Sequence, residues 1–149
     1  MAEIRFYHLQ TQGIEQALPK LAELVLKSGN RGLIKVADKN IAKQLDKALW
    51  TYSPESFLPH DIEGSKYAAA QDIFITTKDE NPASAKMIIL VNGEKVDDLK
   101  PFDRILYIFE GKLDEIISKA REDYKSYKNA GHDMSYWQQS DQGRWEQKA

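Results

Sequence analysis

Met87-Ile88-Ile89-Leu90-Val91 is an apolar run with no polar position in it. A strand with one face in water alternates apolar and polar residues, whereas a strand covered on both faces has no need to. The run reads as a central strand of a mainly parallel sheet, which requires helices on both faces. The flanking sequence supplies both kinds of element. Residues 104–109 (Arg-Ile-Leu-Tyr-Ile-Phe), 72–77 (Asp-Ile-Phe-Ile-Thr-Thr), 32–37 (Gly-Leu-Ile-Lys-Val-Ala) and 4–9 (Ile-Arg-Phe-Tyr-His-Leu) are short, β-branched or aromatic, and bounded by polar stretches, so each is expected to be a strand, with 104–109 the last.

Between the strands the apolar spacing changes to that of helices. Ile14, Ala17, Leu18, Leu21, Leu24 and Val25 mark a helix over 14–27, closed by Ser28-Gly29-Asn30. Pro19 fits if the regular helix begins only a residue or two before it. Asp38 is placed to cap a second helix running to about Leu49, with Ile41, Ala42, Leu45, Ala48 and Leu49 on one face. The longest helix is expected over 113–130, stopped by Gly131. Residues 62–71 and 78–84 read as loops, and 95–102 as room for one helical turn. Residues 132–149 read as a polar tail packed on or near the domain, with Trp137 and Trp145 as core cover. Alternating strands and helices define an α/β domain, expected to be a single unit over 1–149.

The composition narrows the function. A net charge of −2 gives no general attraction for nucleic acid, so such a partner needs a local basic patch. With no cysteine there is no disulfide, thiol nucleophile or thiolate metal site, which suits a reducing cytoplasm. No apolar run has membrane-spanning length, and the N-terminus goes straight into a strand pattern with no targeting core.

An α/β sheet suggests nucleotides, but Gln10-Thr11-Gln12-Gly13-Ile14 after the first strand holds one glycine and no phosphate-loop lysine. His8, His60 and His132 lie in separate elements, which does not make a metal site. His60-Asp61 has the chemistry of an oriented base, but no nucleophile accompanies it. No catalytic, cofactor or metal residues are assigned.

Two features lie outside the core pattern. Trp50 and Phe57 flank the turn Ser53-Pro54-Glu55; from the residues alone they fold back on the core or face a partner. On the longest helix, Arg121, Lys125 and Lys128 follow at i, i+4 and i+7, with Ile117 and Tyr124 alongside; Leu113, Ile116, Ala120 and Tyr127 form the apolar face. This is either an ordinary solvated face or a cationic row beside an apolar slot, suited to an acidic peptide ending in a free carboxylate.

Three blocks resemble the chi subunits of the bacterial DNA polymerase III holoenzyme: Leu45-Asp46-Lys47-Ala48-Leu49-Trp50 with Glu55-Ser56-Phe57-Leu58-Pro59-His60; Ala120-Arg121-Glu122-Asp123-Tyr124-Lys125-Ser126-Tyr127-Lys128 with Gly131; and Tyr136-Trp137-Gln138-Gln139 with Gly143-Arg144-Trp145-Glu146. The resemblance implies a Rossmann-like three-layer α/β fold and a non-catalytic adaptor in the cytoplasm. It implies that Arg121, Tyr124, Lys125 and Lys128, with Ile117 beside them, bind the C-terminal tail of single-stranded DNA-binding protein. It assigns Trp50 and Phe57 to the psi subunit of the clamp loader, or to a helicase using the same surface. DNA would be contacted mainly indirectly. Lys128 stands where an arginine is common in the family, so any bidentate contact there is expected to be weaker. The competing expectations are a small nucleotide-using enzyme and a direct single-stranded DNA binder working through the basic stripe and the tail tryptophans.

Overall fold

The computed structural model describes residues 3–10, 13–51, 60–62, 73–81, 84–96, 98–140 and 144–148. In chain order the elements are β1 (Glu3–Leu9), α1 (Ile14–Lys27), β2 (Gly32–Lys35), α2 (Lys39–Thr51), β3 (His60–Ile62), β4 (Ile73–Thr76), β5 (Met87–Val91), β6 (Arg104–Glu110), α3 (Asp114–Asn129), β7 (Asp133–Gln139) and β8 (Trp145–Gln147). The strands form one eight-stranded sheet in the order β3-β4-β2-β5-β6-β1-β7-β8. Every pairing is parallel except that of β8 with β7.

The sheet sorts its side chains by the period of two along each strand. Tyr7, Leu9, Ile34, Ile73, Ile75, Met87, Ile89, Val91, Leu106 and Ile108 bury on one face, together with α1 and α2. Ile4, Phe6, Leu33, Phe74, Ile88, Leu90, Ile105, Tyr107 and Phe109 bury on the other, beneath α3 and the connecting residues Ala85 and Phe102. All of β5 is buried, as its unbroken apolar run requires. The expected three-layer arrangement, a mainly parallel sheet with helices on both faces, is the one observed.

Several local expectations need correction. Within 132–149, expected as a polar tail, two stretches are strands: β7 joins the edge of β1 in register from Glu3↔Asp133 to His8↔Gln138, and β8 turns back on it. The strand over 104–110 is therefore not the last. Trp137 and Trp145 do cover the core, on the α1 and α2 face beside Tyr7. Pro19 lies within α1 beyond its first turn. The carbonyl it leaves without a helical donor belongs to Glu15, an exposed residue, so water can serve there. Ile62 ends β3 instead of opening a loop, while 63–71 lie outside the described residues. In place of a helical turn over 95–102, the described residues close a turn with the Phe102 N–H donating to the Leu99 carbonyl at 3.0 Å. Leu113, expected on the apolar face of α3, is its 60% exposed N-cap residue.

Other boundaries follow the expected chemistry. Asp38 Oδ1 accepts the Ile41 N–H at 2.9 Å and caps α2. Gly131 has φ +91° and ends α3 with its N–H donating to the Lys128 carbonyl. A left-handed residue at that place favours glycine.

Candidate functional site

The position of α3 follows from the strand order. It connects β6 to β7, and β1 lies between those two strands, so α3 crosses over β1. Ala120, which is 2% exposed, brings the helix close to the sheet, and Tyr124 and Tyr127 meet Phe6 edge-on at centroid distances of 5.2 and 6.4 Å. Asp123 faces the same way and is buried. Its Oδ2 accepts the Tyr107 hydroxyl at 2.6 Å, and it pairs with Lys95 at 2.9 Å and Lys119 at 3.6 Å. The turn that buries Asp123 beside Ala120 therefore points Arg121 and Lys125 outward.

Between that outer face and the sheet lies a hollow of about 320 Å³, lined by Phe109, Ile117, Ala120, Arg121, Tyr124, Lys125 and Tyr136. Ile117, Arg121, Tyr124 and Lys125 thus come together as the helix spacing predicts. Lys128 continues the exposed side one turn further but does not line the hollow. Phe109 and Tyr136 form the side contributed by the sheet, and the sequence reading assigned neither of them to a site. Phe109 was hidden in a strand pattern and Tyr136 in an apparent tail. Alternation in 133–139 was the one signal that could have placed Tyr136 inward. The rings of Tyr124 and Tyr136 meet at 6.2 Å and those of Phe109 and Tyr136 at 6.5 Å.

Behind Tyr136 sits His8, whose Nδ1 is 2.7 Å from the Tyr136 hydroxyl and whose ring stacks on Phe109 at 4.7 Å. Burial, and then the Arg121 charge, hold the His8 imidazole below the usual histidine range. Burial pushes the Tyr136 phenol up, with Arg121 opposing it. Gly111 makes room for this histidine, since a Cβ there would overlap the His8 ring and lie 3.0 Å from the Leu9 carbonyl oxygen. The chain's final described residues do not fill the hollow; Trp145 packs on the opposite face of the sheet.

Trp50 falls in the last turn of α2, but its side chain and the whole of Phe57 lie outside the described residues. His60 and Asp61 are in β3, and their side chains are outside as well. Among the described residues no three histidine, aspartate or glutamate side chains are grouped to hold a metal ion, and no helix is long and apolar enough to cross a membrane.

Where parallel sheets commonly bind nucleotides, at the carboxyl ends of the strands, a second hollow of about 380 Å³ touches Gly13, Gln16, Gln44, Asn92 and Glu110. A carboxylate already faces the start of α1: Glu110 Oε2 is 3.6 Å from the position a Cβ on Gly13 would take. With Glu15 in the same first turn, this end opposes a phosphate.

Fold and site define a class: an α/β protein that carries, against α3, an apolar notch rimmed by cations. Residues 1–135 match the family described as DNA polymerase III chi subunit, HolC, and the chain belongs to that family. It is 28% identical over 128 residues to the "Probable DNA polymerase III subunit chi" of Rickettsia prowazekii (strain Madrid E), covering 80% of this chain and 78% of that protein. It is 29% identical over 122 residues to the "DNA polymerase III subunit chi" of Escherichia coli (strain K12), covering 82% and 83%. With the subunit of that name from Haemophilus influenzae (strain ATCC 51907 / DSM 11121 / KW20 / Rd) the identity is 23% over 139 residues, covering 91% and 96%.

Proposed function

We propose that this protein is a non-catalytic adaptor in the cytoplasmic replication machinery, binding the C-terminal tail of single-stranded DNA-binding protein in the α3 notch and the psi subunit of the clamp loader through Trp50 and Phe57. The observation that carries this reading is the notch itself. Arg121 and Lys125 stand on the rim of a hollow walled by Ile117, Tyr124, Phe109 and Tyr136. A tail that is acidic, and that ends in an apolar side chain and a carboxylate, matches both halves of that lining. The guanidinium can clamp the terminal carboxylate bidentately while the apolar group enters among the rings. Lys128, outside the lining, would act on acidic residues further up the tail as a screened charge. A helicase using the same surface as psi remains within this reading, and DNA is met through its coating protein. Weak single contacts suffice, because many tails on one template raise the effective concentration.

The test is titration with a fluorescein-labelled tail peptide. Arg121→Ala is expected to weaken binding by about 2 kcal/mol or more if Arg121 is a hot spot, and added salt to weaken the wild-type complex. Phe57→Ala is expected to leave the peptide affinity unchanged and to abolish capture of psi. Equal peptide affinity in Arg121→Ala and wild type would remove the notch from this role.

A further inference from the structure

The notch has a side that the helix stripe does not account for. Tyr136 comes from β7, Phe109 from β6 and His8 from β1, and in register Phe109 lies beside His8. Among the described residues the hydroxyl of Tyr136 has one partner, His8 Nδ1 at 2.7 Å. Both rings lie within reach of the Arg121 charge. With His8 neutral and its proton on Nε2, the Tyr136 O–H donates to Nδ1, and the phenol offers only its oxygen to the notch. That arrangement suits a free guanidinium nearby and is wrong for an incoming carboxylate, which needs a donor.

We propose that Tyr136 and His8 form a positioning pair for the anionic chain end: when a carboxylate settles beside Arg121, His8 takes a proton from solvent, its Nδ1–H donates to the Tyr136 oxygen, and the phenol proton turns to the carboxylate. This rests on the reading of the notch as a receptor for an acidic tail, and it adds a recognition element built by the sheet. The groups around His8 decide the direction. From β6 it meets Phe109 and the Gly111 backbone, from β7 Tyr136 and, in register, Gln138, and from α3 Arg121. Arg121 is the charged group acting on it among the described residues, and it disfavours the imidazolium. A bound carboxylate offsets that field and accepts the freed phenol proton, so binding raises the affinity of His8 for its proton. By linkage the complex tightens as pH falls through the His8 value in the complex, and levels off below the value in the free protein. Each unit by which binding raises that value gives up to about tenfold in affinity.

The experiment is the same labelled-peptide titration run from about pH 8 to about pH 5.5, above the range where carboxylates titrate. Wild type is expected to bind several-fold more tightly at the lower end, and the C-terminally amidated peptide is not. Tyr136→Phe, which keeps the ring, and His8→Gln are each expected to flatten the dependence. His132→Gln, at the histidine packed on Tyr127, is expected to keep it. Wild-type protein supplies a measurement free of any folding change: the His8 ring signals in NMR titrate at higher pH once the peptide is saturating. An unchanged pH slope in Tyr136→Phe, or a His8 titration that the peptide does not move, overturns the pair. If Arg121→Ala binds weakly while the wild-type slope is flat, the receptor reading stands and the pair falls. If Arg121→Ala binds as wild type does, the receptor reading falls, and the pair with it.

Discussion

Asp123 shows how one buried carboxylate orients the exposed face of a helix. It is closed off beneath α3, accepts the Tyr107 hydroxyl, and draws Lys95 and Lys119 to its mouth. Asp123→Ala leaves a buried phenol without an acceptor and is expected to cost about 2–3 kcal/mol, read from urea unfolding. The two lysines are about half exposed and add little of their own. Tyr107→Phe in the Asp123→Ala background should cost less than in wild type, because the hydroxyl then has no bond to lose. None of this was legible beforehand. An aspartate on a helix is most often solvated, and only the crossing of α3 over β1 brings Tyr107 and Asp123 together. Arg121 and Lys125 were legible, since helical spacing places side chains on a common side without any knowledge of what the helix packs against.

Strands β7 and β8 both went unread in the sequence, and β7 is the one that bears on the notch. Asp133-Met134-Ser135-Tyr136-Trp137-Gln138-Gln139 is polar overall, and most of its residues are only partly buried, so it lacks the apolar density that revealed β5 and β6. It is held by register on β1 and by residues that pack to opposite sides, Met134 and Tyr136 toward α3 and Trp137 toward α1 and α2. The strands that were legible are those buried on both faces, because their composition reports their surroundings directly. The notch inherits the same division: its helical side was readable and its β7 side was not. A chain ending after Gln139 keeps β7 and is expected to bind the tail peptide unchanged, with a modest loss of stability from β8 and Trp145. A chain ending after His132 strips β1 of a neighbour and removes Tyr136. It should melt about 10 °C lower or more, for a loss of roughly 3 kcal/mol, and bind no peptide; thermal melts by circular dichroism and the peptide titration check both.

The molecule as a whole keeps a group of tyrosines protonated well past their ordinary range. Tyr127 is pushed up to about 12 by burial and by Asp123, and Tyr107 is raised further by burial and by its bond to the same carboxylate. A group whose folded value is raised contributes its stability in full below the unfolded value and loses it as pH climbs. Stability should therefore hold up to about pH 10 and then fall through about pH 12. Phenolate absorbance from Tyr107 and Tyr127 should appear together with unfolding. The strand order has a consequence of a different kind. Both neighbours of β1, namely β6 and β7, lie far along the chain from it. During synthesis β1 cannot be zipped until β6 and β7 have followed it out of the ribosome, and closing such distant pairings is slow. Until then its aromatic side chains have no final place, and the nascent chain passes through a sticky interval that suits a waiting chaperone.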